Sequence, residues 1–159
     1  MSLINIAKAK DEEDIRFIYQ DTNKRIQLLL PFKNISGAKR RISKLEIENK
    51  RVLRIMSELS EIYKKIVPEP REIYLTIQEV RSSTVYIRWR RRGINGDQAY
   101  LTMDSLEGRA FLLDQKNDIR VMYLNFNSLA LKLNLAYSFR LNEIKRIGKF
   151  IDSYLGAVG

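Results

Sequence analysis

The chain has 159 residues, with no cysteine and no histidine, and it carries 29 basic against 19 acidic side chains for a net charge of +10. This length suits one domain, and a hydrophobic fraction of 45% is enough to build a core. The missing residue types exclude disulfide scaffolds, metal sites built on Cys and His, and catalysis by an imidazole base. No apolar run approaches the roughly 20 residues of a membrane-spanning helix, so we expect a soluble, cytoplasmic protein.

The excess positive charge is concentrated in three stretches. Residues 37–67 and 81–96 each carry a net charge of +5, and residues 119–159 carry +4. Weakly acidic stretches separate them. A polyanion such as DNA is the natural partner of such stripes, because each neutralised phosphate releases counterions. The alternative is a solvated basic surface with no specific partner.

The N-terminal part predicts two helices. Residues 11–30 form an amphipathic helix that begins with four acidic residues and stops at Pro31. The core stripe predicted for this helix is Ile15, Ile18, Tyr19, Thr22, Ile26, Leu29 and Leu30. Residues 37–67 form the second helix, and the short connector predicts an antiparallel hairpin.

The second helix carries a heptad seam with alternating spacings of three and four residues. Its members are Ala38, Ile42, Leu45, Asn49, Val52, Met56, Leu59, Tyr63 and Ile66. Asn49 is the polar residue at an a position. Two interpretations follow: the hairpin packs within one chain, with Asn49 satisfied or exposed, or the hairpin also forms a homodimer.

Residues 72–80 and 84–91 alternate in polarity as strands do. A three-residue loop, Arg81–Ser83, keeps the apolar side chains of both strands on one face, whereas a two-residue loop would mix the faces. The predicted register pairs Ile77 with Ile87 and Leu75 with Trp89, so that Trp89 is buried while Arg88 and Arg90 point the other way.

A third strand, 99–103, follows a turn at Gly93–Gly96, with Ala99, Leu101 and Met103 facing inward. A short helix from Asp104 to about Lys116 and a long helix over 118–155 complete the chain. We therefore predict a single α+β domain over residues 1–159. Its parts are a helical hairpin (11–67), a small three-stranded antiparallel sheet (71–103) and C-terminal helices (104–155), the last of them long.

Two surfaces are candidates for binding nucleic acid. On the sheet face, aromatic rings suit stacking on bases and arginines suit phosphates; the residues are Tyr74, Tyr86, Arg88, Arg90, Arg92 and Tyr100. The alternative is that a helix covers this face, with the arginines paired to Glu72, Glu79 or Asp97.

The second surface is the outer side of helix 37–67, which could follow a DNA backbone. Its principal cations are Arg40, Lys44, Lys50, Arg51 and Arg54. The alternative is a solvated helix face with intrahelical pairs such as Glu46–Lys50, Glu58–Arg54 and Glu61–Lys64.

Enzyme functions have little support. The chain lacks a Gly-rich phosphate-binding loop and a dinucleotide fingerprint, so we expect no cofactor. Four carboxylates share one side of the predicted helices around 104–118, but a divalent metal also needs ligands from other elements. They are Asp104, Glu107, Asp114 and Asp118. We expect no metal site there and no catalytic residues.

Two short segments carry a resemblance to a known family: Ser-Thr-Val-Tyr-Ile-Arg-Trp-Arg at 83–90 and Leu-Asn-Leu-Ala-Tyr-Ser at 133–138. Over residues 80–145 the chain resembles small accessory proteins of integrative conjugative elements and conjugative plasmids, of the auxiliary mobilisation or origin-of-transfer type. Members tend to carry histidine in the long helix, and this chain has none.

The resemblance implies a DNA-associated role in horizontal transfer and supplies no catalytic residues. The resulting hypothesis is a non-enzymatic DNA-binding accessory protein that favours duplex over single-stranded DNA. Its further expected partners are a second copy of the chain and a protein of a transfer complex, with no membrane partner. The alternative is a helical protein–protein adaptor that does not bind nucleic acid.

Overall fold

A computed structural model describes residues 11–81, 84–92 and 98–159. The helices are α1 (Glu12–Gln27), α2 (Ile35–Ile66), α3 (Leu106–Leu113) and α4 (Asn117–Val158), and the strands are β1 (Ile73–Glu79), β2 (Val85–Arg92) and β3 (Gln98–Leu101). The strands form one antiparallel sheet in the order β1-β2-β3. The predicted α+β class, with a helix-rich N-terminus, a small sheet and a long C-terminal helix, is confirmed.

The chain forms two compact units. The first contains the described residues up to Lys44 together with Ile147–Gly159, and the second contains Leu45–Arg146. Among the described residues, no helix is long and apolar enough to cross a membrane.

The core of the second unit lies between one face of the sheet and its helices. Tyr63 of α2 is fully buried at its centre, and its ring meets the rings of Trp89 and Phe126 edge-on, with centroids 5.3 and 5.4 Å away. Edge-to-face packing is the geometry that aromatic pairs prefer. The core also takes in aliphatic side chains from α2 and all three strands, and Phe111 and Leu112 from α3.

The predicted strand register is confirmed. Ile77 pairs with Ile87, and the Val80 amide donates to the Thr84 carbonyl at 2.9 Å across the predicted loop. Leu75 pairs with Trp89, whose side chain is only 3% exposed. The buried face is the expected one, since a shift by one residue would expose the tryptophan. Ile77, on the same face near the loop, is nevertheless 39% exposed.

The third strand differs from its prediction. It ends at Leu101, and Met103 is buried just beyond it. Ala99, predicted to face inward, is exposed. It pairs with Arg91, also exposed, at the end of the sheet beyond the packed core. The strand alternation therefore holds, but no helix of the described chain buries this end.

Side chains from the helices bond to the backbone of the sheet. The hydroxyls of Tyr63 and Ser60 donate to the carbonyls of Ile73 and Leu75, each at 2.7 Å. On the other side, the Asn134 side chain accepts from the Ile87 amide at 2.8 Å and donates to the Ile87 carbonyl at 2.9 Å. One asparagine thus makes the two bonds that a neighbouring strand would make.

The heptad seam of α2 packs inside the chain. Asn49 is buried, and its Nδ2 donates to the Tyr137 carbonyl of α4 at 3.3 Å. Leu45, Val52 and Met56 are also buried. The seam therefore packs within the chain, as the first interpretation expects, but its central part is covered by α4 and the sheet, where that interpretation expected the first helix. Asn49 is neither exposed nor fully satisfied, since its Oδ1 is buried without a hydrogen-bond partner among the described residues. Most of the seam's apolar residues are already covered, so they are not free to pair two chains.

The stripe predicted for α1 is wrong in its burial. Ile18 is buried, whereas five other members are largely exposed: Ile15, Tyr19, Ile26, Leu29 and Leu30. The first unit contains only helical and loop segments in its described part, and such a small assembly has little interior surface. The start of α1 is as expected, because Asp11 caps it by accepting from the Asp14 amide at 2.9 Å.

Candidate nucleic-acid interface

One face of the sheet is left half-open. Along β2 the side chains of Val85, Ile87 and Trp89 are buried, whereas Tyr86, Arg88 and Arg90 between them are half-buried. A packed helix would bury the second set as deeply as the first. The alternative in which a helix covers the arginine face is therefore not supported by the described residues.

Arginines and tyrosines stack on this face. The guanidinium carbon of Arg88 lies 4.3 Å from the ring centre of Tyr86 and 5.2 Å from that of Tyr100. Arg90 lies 5.2 Å from the Tyr100 ring centre and donates to its hydroxyl at 2.9 Å. At these distances each guanidinium is attracted to the face of a ring. The face therefore carries an array of two cations and two rings, which we call the Arg–Tyr array (Tyr86, Arg88, Arg90 and Tyr100).

Neutral groups, rather than carboxylates, are the other partners of these arginines. Arg88 donates to the Gln78 amide oxygen at 3.0 Å. The Nε of Arg90 is buried and has no hydrogen-bond partner among the described residues. The pairs expected with Glu72 and Glu79 are not formed, and Asp97 lies outside the described residues, as does the Gly93–Gly96 turn. Within the described residues, no carboxylate therefore pairs with either guanidinium group.

Two members of the predicted sheet site lie at its margin. Tyr74 is half-buried on β1, where it pairs with Arg90. Arg92 is exposed at the end of β2. Neither takes part in the stacked contacts of the Arg–Tyr array.

The predicted helix cations fall into both units and are all exposed. In the first unit, Arg40 donates to the Ser36 hydroxyl at 2.9 Å, and Lys44 lies one turn further along α2. In the second unit, Lys50, Arg51 and Arg54 are spaced so that they share one side of the helix.

These cations are not neutralised by acidic neighbours. The pairs Glu46–Lys50 and Glu58–Arg54, expected for a merely solvated face, do not form in the described chain. The Lys64–Glu61 pair does form, at 3.2 Å, further along the helix. The segment from Lys50 to Arg54 is therefore a cationic patch available to an external anion.

Sequence reasoning missed the residues that connect the sheet to α4. Asn134 bonds to Ile87, and the Oδ1 of Asn127 accepts from the indole nitrogen of Trp89 at 3.1 Å. The seven-residue spacing of these asparagines on one helix side was a usable signal, since it places two amides against the same strand. They line a cleft of about 610 Å³ with Arg88, Trp89 and Tyr100.

Of the four carboxylates expected on one helix side, Glu107 lies in α3 and Asp118 in α4, whereas Asp104 precedes α3 and Asp114 caps its end. Within the described residues, no group of three or more metal-binding side chains converges.

Comparison of the chain with models of protein families, with curated proteins and with solved structures finds no match.

Proposed function

We propose that this protein is a non-enzymatic DNA-binding accessory protein of a mobile genetic element, which assists conjugative transfer or its regulation. Duplex DNA is its principal partner. The observation that carries the proposal is the exposed cationic patch of Lys50, Arg51 and Arg54, which has no carboxylate partner within the described chain.

The patch suits phosphates because it projects cations from a rigid helix. Side chains spaced three and four residues apart on α2 can meet successive phosphates along a strand. Contacts of this kind give affinity and position, and sequence preference then has to come from base contacts. The Arg–Tyr array adds arginines and rings on the sheet of the same unit.

The resemblance to conjugation accessory proteins supports the genetic setting. The two segments that carry it, at 83–90 and 133–138, are in direct contact through the bonds between Asn134 and Ile87. They therefore belong to one structural element, a strand fixed to the long helix.

The first experiment measures binding to a labelled duplex and to a single strand at several salt concentrations. The logarithm of the duplex association constant should fall with the logarithm of salt, with a slope of about −0.9 for each phosphate contacted. Replacing Lys50, Arg51 and Arg54 together by Ala should weaken duplex binding and make the slope shallower by up to about three units.

The matched control removes three exposed cations elsewhere in the same unit, Lys132, Lys145 and Arg146 of α4. Equal losses in both triple variants would mean that only net charge matters, and would contradict a specific patch. Absence of micromolar binding at about 50 mM salt, with either DNA form, would refute DNA binding altogether.

The Arg–Tyr array is tested separately. Replacing Arg88 and Arg90 by Ala should weaken the binding of both duplex and single-stranded DNA if the array touches phosphates. Replacing Tyr86 or Tyr100 should weaken single-strand binding alone if bases stack there, since each stacked base contributes about 1–3 kcal/mol. A tyrosine variant that binds both forms unchanged would exclude base stacking, and an arginine variant that also binds both forms unchanged would restrict the site to α2.

The adaptor function is a second candidate because α4 carries an exposed apolar stripe. Its members are Val121, Leu124, Leu131, Leu135 and Phe139, which are 44–64% exposed. Spacings of three, four and seven residues align them along one side of the helix. Such a surface is typical of contacts with another protein. This function becomes the better one if neither DNA form binds.

A further inference from the structure

The first unit contains two adjoining clefts of contrasting character. Phe32, Lys33 and Asn34, in the segment between α1 and α2, form a wall that both clefts share. One cleft has a volume of about 400 Å³ and is lined mainly by cations. The other has a volume of about 290 Å³ and is lined by rings, amides and aliphatic side chains. Both are near the lower end of the size range of small-molecule sites, roughly 300–1,000 Å³.

Among the described residues that line the first of these, the basic cleft, none is acidic. Its cations are Lys33, Arg40, Arg41 and Lys44. Arg40 is held in place by the Ser36 hydroxyl at 2.9 Å. Within the described chain, no carboxylate pairs with Lys33, Arg40 or Lys44. A single phosphate, with a charge of about −1.5 to −2, would leave part of the charge of these three cations uncompensated, so the chemistry favours a group of linked phosphates.

The second, the aromatic cleft, offers rings and free amides. The ring centre of Phe150 lies 5.5 Å from that of Phe32 and 6.3 Å from that of Tyr154. Asn23 and Gln27 of α1 line the same cleft, are half-buried, and have no hydrogen-bond partner among the described residues. An amide can donate and accept at once, which is the pattern that the edge of a nucleobase requires. Rings beside such amides allow a base to stack while its edge is bonded.

We propose that the first unit binds a nucleoside polyphosphate, with the phosphates in the basic cleft and the base in the aromatic cleft. The shared wall brings the two parts of one ligand together, since Lys33 and Asn34 face both clefts. This inference goes beyond the proposed DNA-binding function and does not depend on it.

The test is isothermal titration calorimetry of the full-length protein at about 50 mM salt, with ATP, inorganic triphosphate and adenosine as separate probes. ATP should bind at least about tenfold more tightly than either fragment, because it alone fills both clefts. No detectable ATP binding at millimolar concentration would overturn the proposal. Equal affinities for ATP and triphosphate would also overturn it, since the site would then recognise only anions.

Variants assign the two halves of the ligand. Lys33→Ala should lower the affinities for ATP and for inorganic triphosphate by a similar factor, about tenfold. Asn23→Ala should lower the affinity for ATP and leave the affinity for inorganic triphosphate unchanged. The matched control is Lys39→Ala, which removes an exposed cation of α2 outside the lining of either cleft. A loss of ATP affinity in the control equal to that of Lys33→Ala would show general charge attraction and refute a site.

Two further arms separate this proposal from the DNA-binding function. The triple variant at Lys50, Arg51 and Arg54 should keep its ATP affinity even where duplex binding is lost. ATP binding by a protein that binds no DNA would support the nucleotide site while refuting the proposed function. A short 5′-phosphorylated single strand that displaces ATP and binds more tightly would overturn the assignment to a free nucleotide.

Discussion

Replacing the buried Asn49 by Leu should stabilise the protein, although it removes a hydrogen bond. The Asn49 side chain is 6% exposed, and its Oδ1 is buried without a hydrogen-bond partner among the described residues. Its Nδ2 makes one long bond, 3.3 Å, to the Tyr137 carbonyl. That carbonyl lies inside α4, where the helix itself supplies a donor from four residues further on.

The magnitude follows from these contacts. An unsatisfied buried acceptor costs about 1–3 kcal/mol, and a typical hydrogen bond contributes about 0.5–1.5 kcal/mol, with a 3.3 Å bond near the lower end. Leu fills a similar space and leaves no new unsatisfied backbone group. We therefore expect the free energy of unfolding to rise by about 1–2 kcal/mol.

Urea denaturation followed by circular dichroism measures this change, with Asn142→Leu on the exposed side of α4 as the control. Sedimentation velocity should give the same mass for the wild type and Asn49→Leu, because Asn49 packs against its own chain. A loss of more than 1 kcal/mol, or a change of mass, would refute the reasoning from an unsatisfied oxygen.

Three other perturbations probe the core. Trp89→Ala should cost about 3–5 kcal/mol in urea denaturation, and the emission of the single tryptophan should be blue-shifted and resistant to quenching, whereas free quenching would contradict its burial. Asn134→Ala should cost about 2–4 kcal/mol, because two backbone groups of Ile87 lose their partner, and a cost within 0.5 kcal/mol would show that those bonds contribute little. Burial raises the pKa of Tyr63 above its ordinary value, so the folded state keeps this proton after the unfolded chain releases it. Stability should therefore fall as the pH rises above about 10, by up to about 1.4 kcal/mol per pH unit, and Tyr63→Phe should make the decline less steep.

The strand pattern was predictable from sequence because it is a local property. Alternation of apolar and polar residues fixes which face of a strand is buried, and the apolar faces match only when three residues form the loop. Ala99 was mispredicted because the same alternation says nothing about where the covering helices end. Burial at the end of a sheet depends on tertiary packing, which periodicity does not encode.

Helix burial was predictable only where a partner exists. In α2 the seam residues from Leu45 to Tyr63 are buried because the sheet and α4 lie against them. In α1 an amphipathic stripe is mostly exposed, because the described part of the first unit offers few surfaces to cover it. An amphipathic pattern shows which side of a helix can be buried, and the amount of packing surface decides how much of it is.

The candidate site was predictable in its residues but not in its contacts. Strand alternation places Tyr86, Arg88 and Arg90 on one face, and that placement is observed. The contact of Arg88 with two rings also requires Tyr100, which belongs to another strand. The position of Tyr100 is set by the register between β2 and β3, in which it pairs with Arg90. The adjoining clefts of the first unit bring together segments more than 100 residues apart, and no spacing rule connects Phe32 with Phe150.

The side-chain bonds to the strand backbones restrict where a further strand can add to this sheet. A three-stranded sheet normally offers backbone groups to any extended chain, and such edges are where fibrillar aggregation begins. Here a foreign strand adding to β1 would first have to displace the hydroxyls of Ser60 and Tyr63 from its carbonyls. The Asn134 amide likewise occupies the backbone groups of Ile87, beyond the residues of β2 that pair with β3. At the β1 edge two hydroxyls therefore hold the carbonyls that a closing strand would bond in a barrel. We expect a peptide strand to add at this edge less readily than at an edge whose carbonyls are open to solvent.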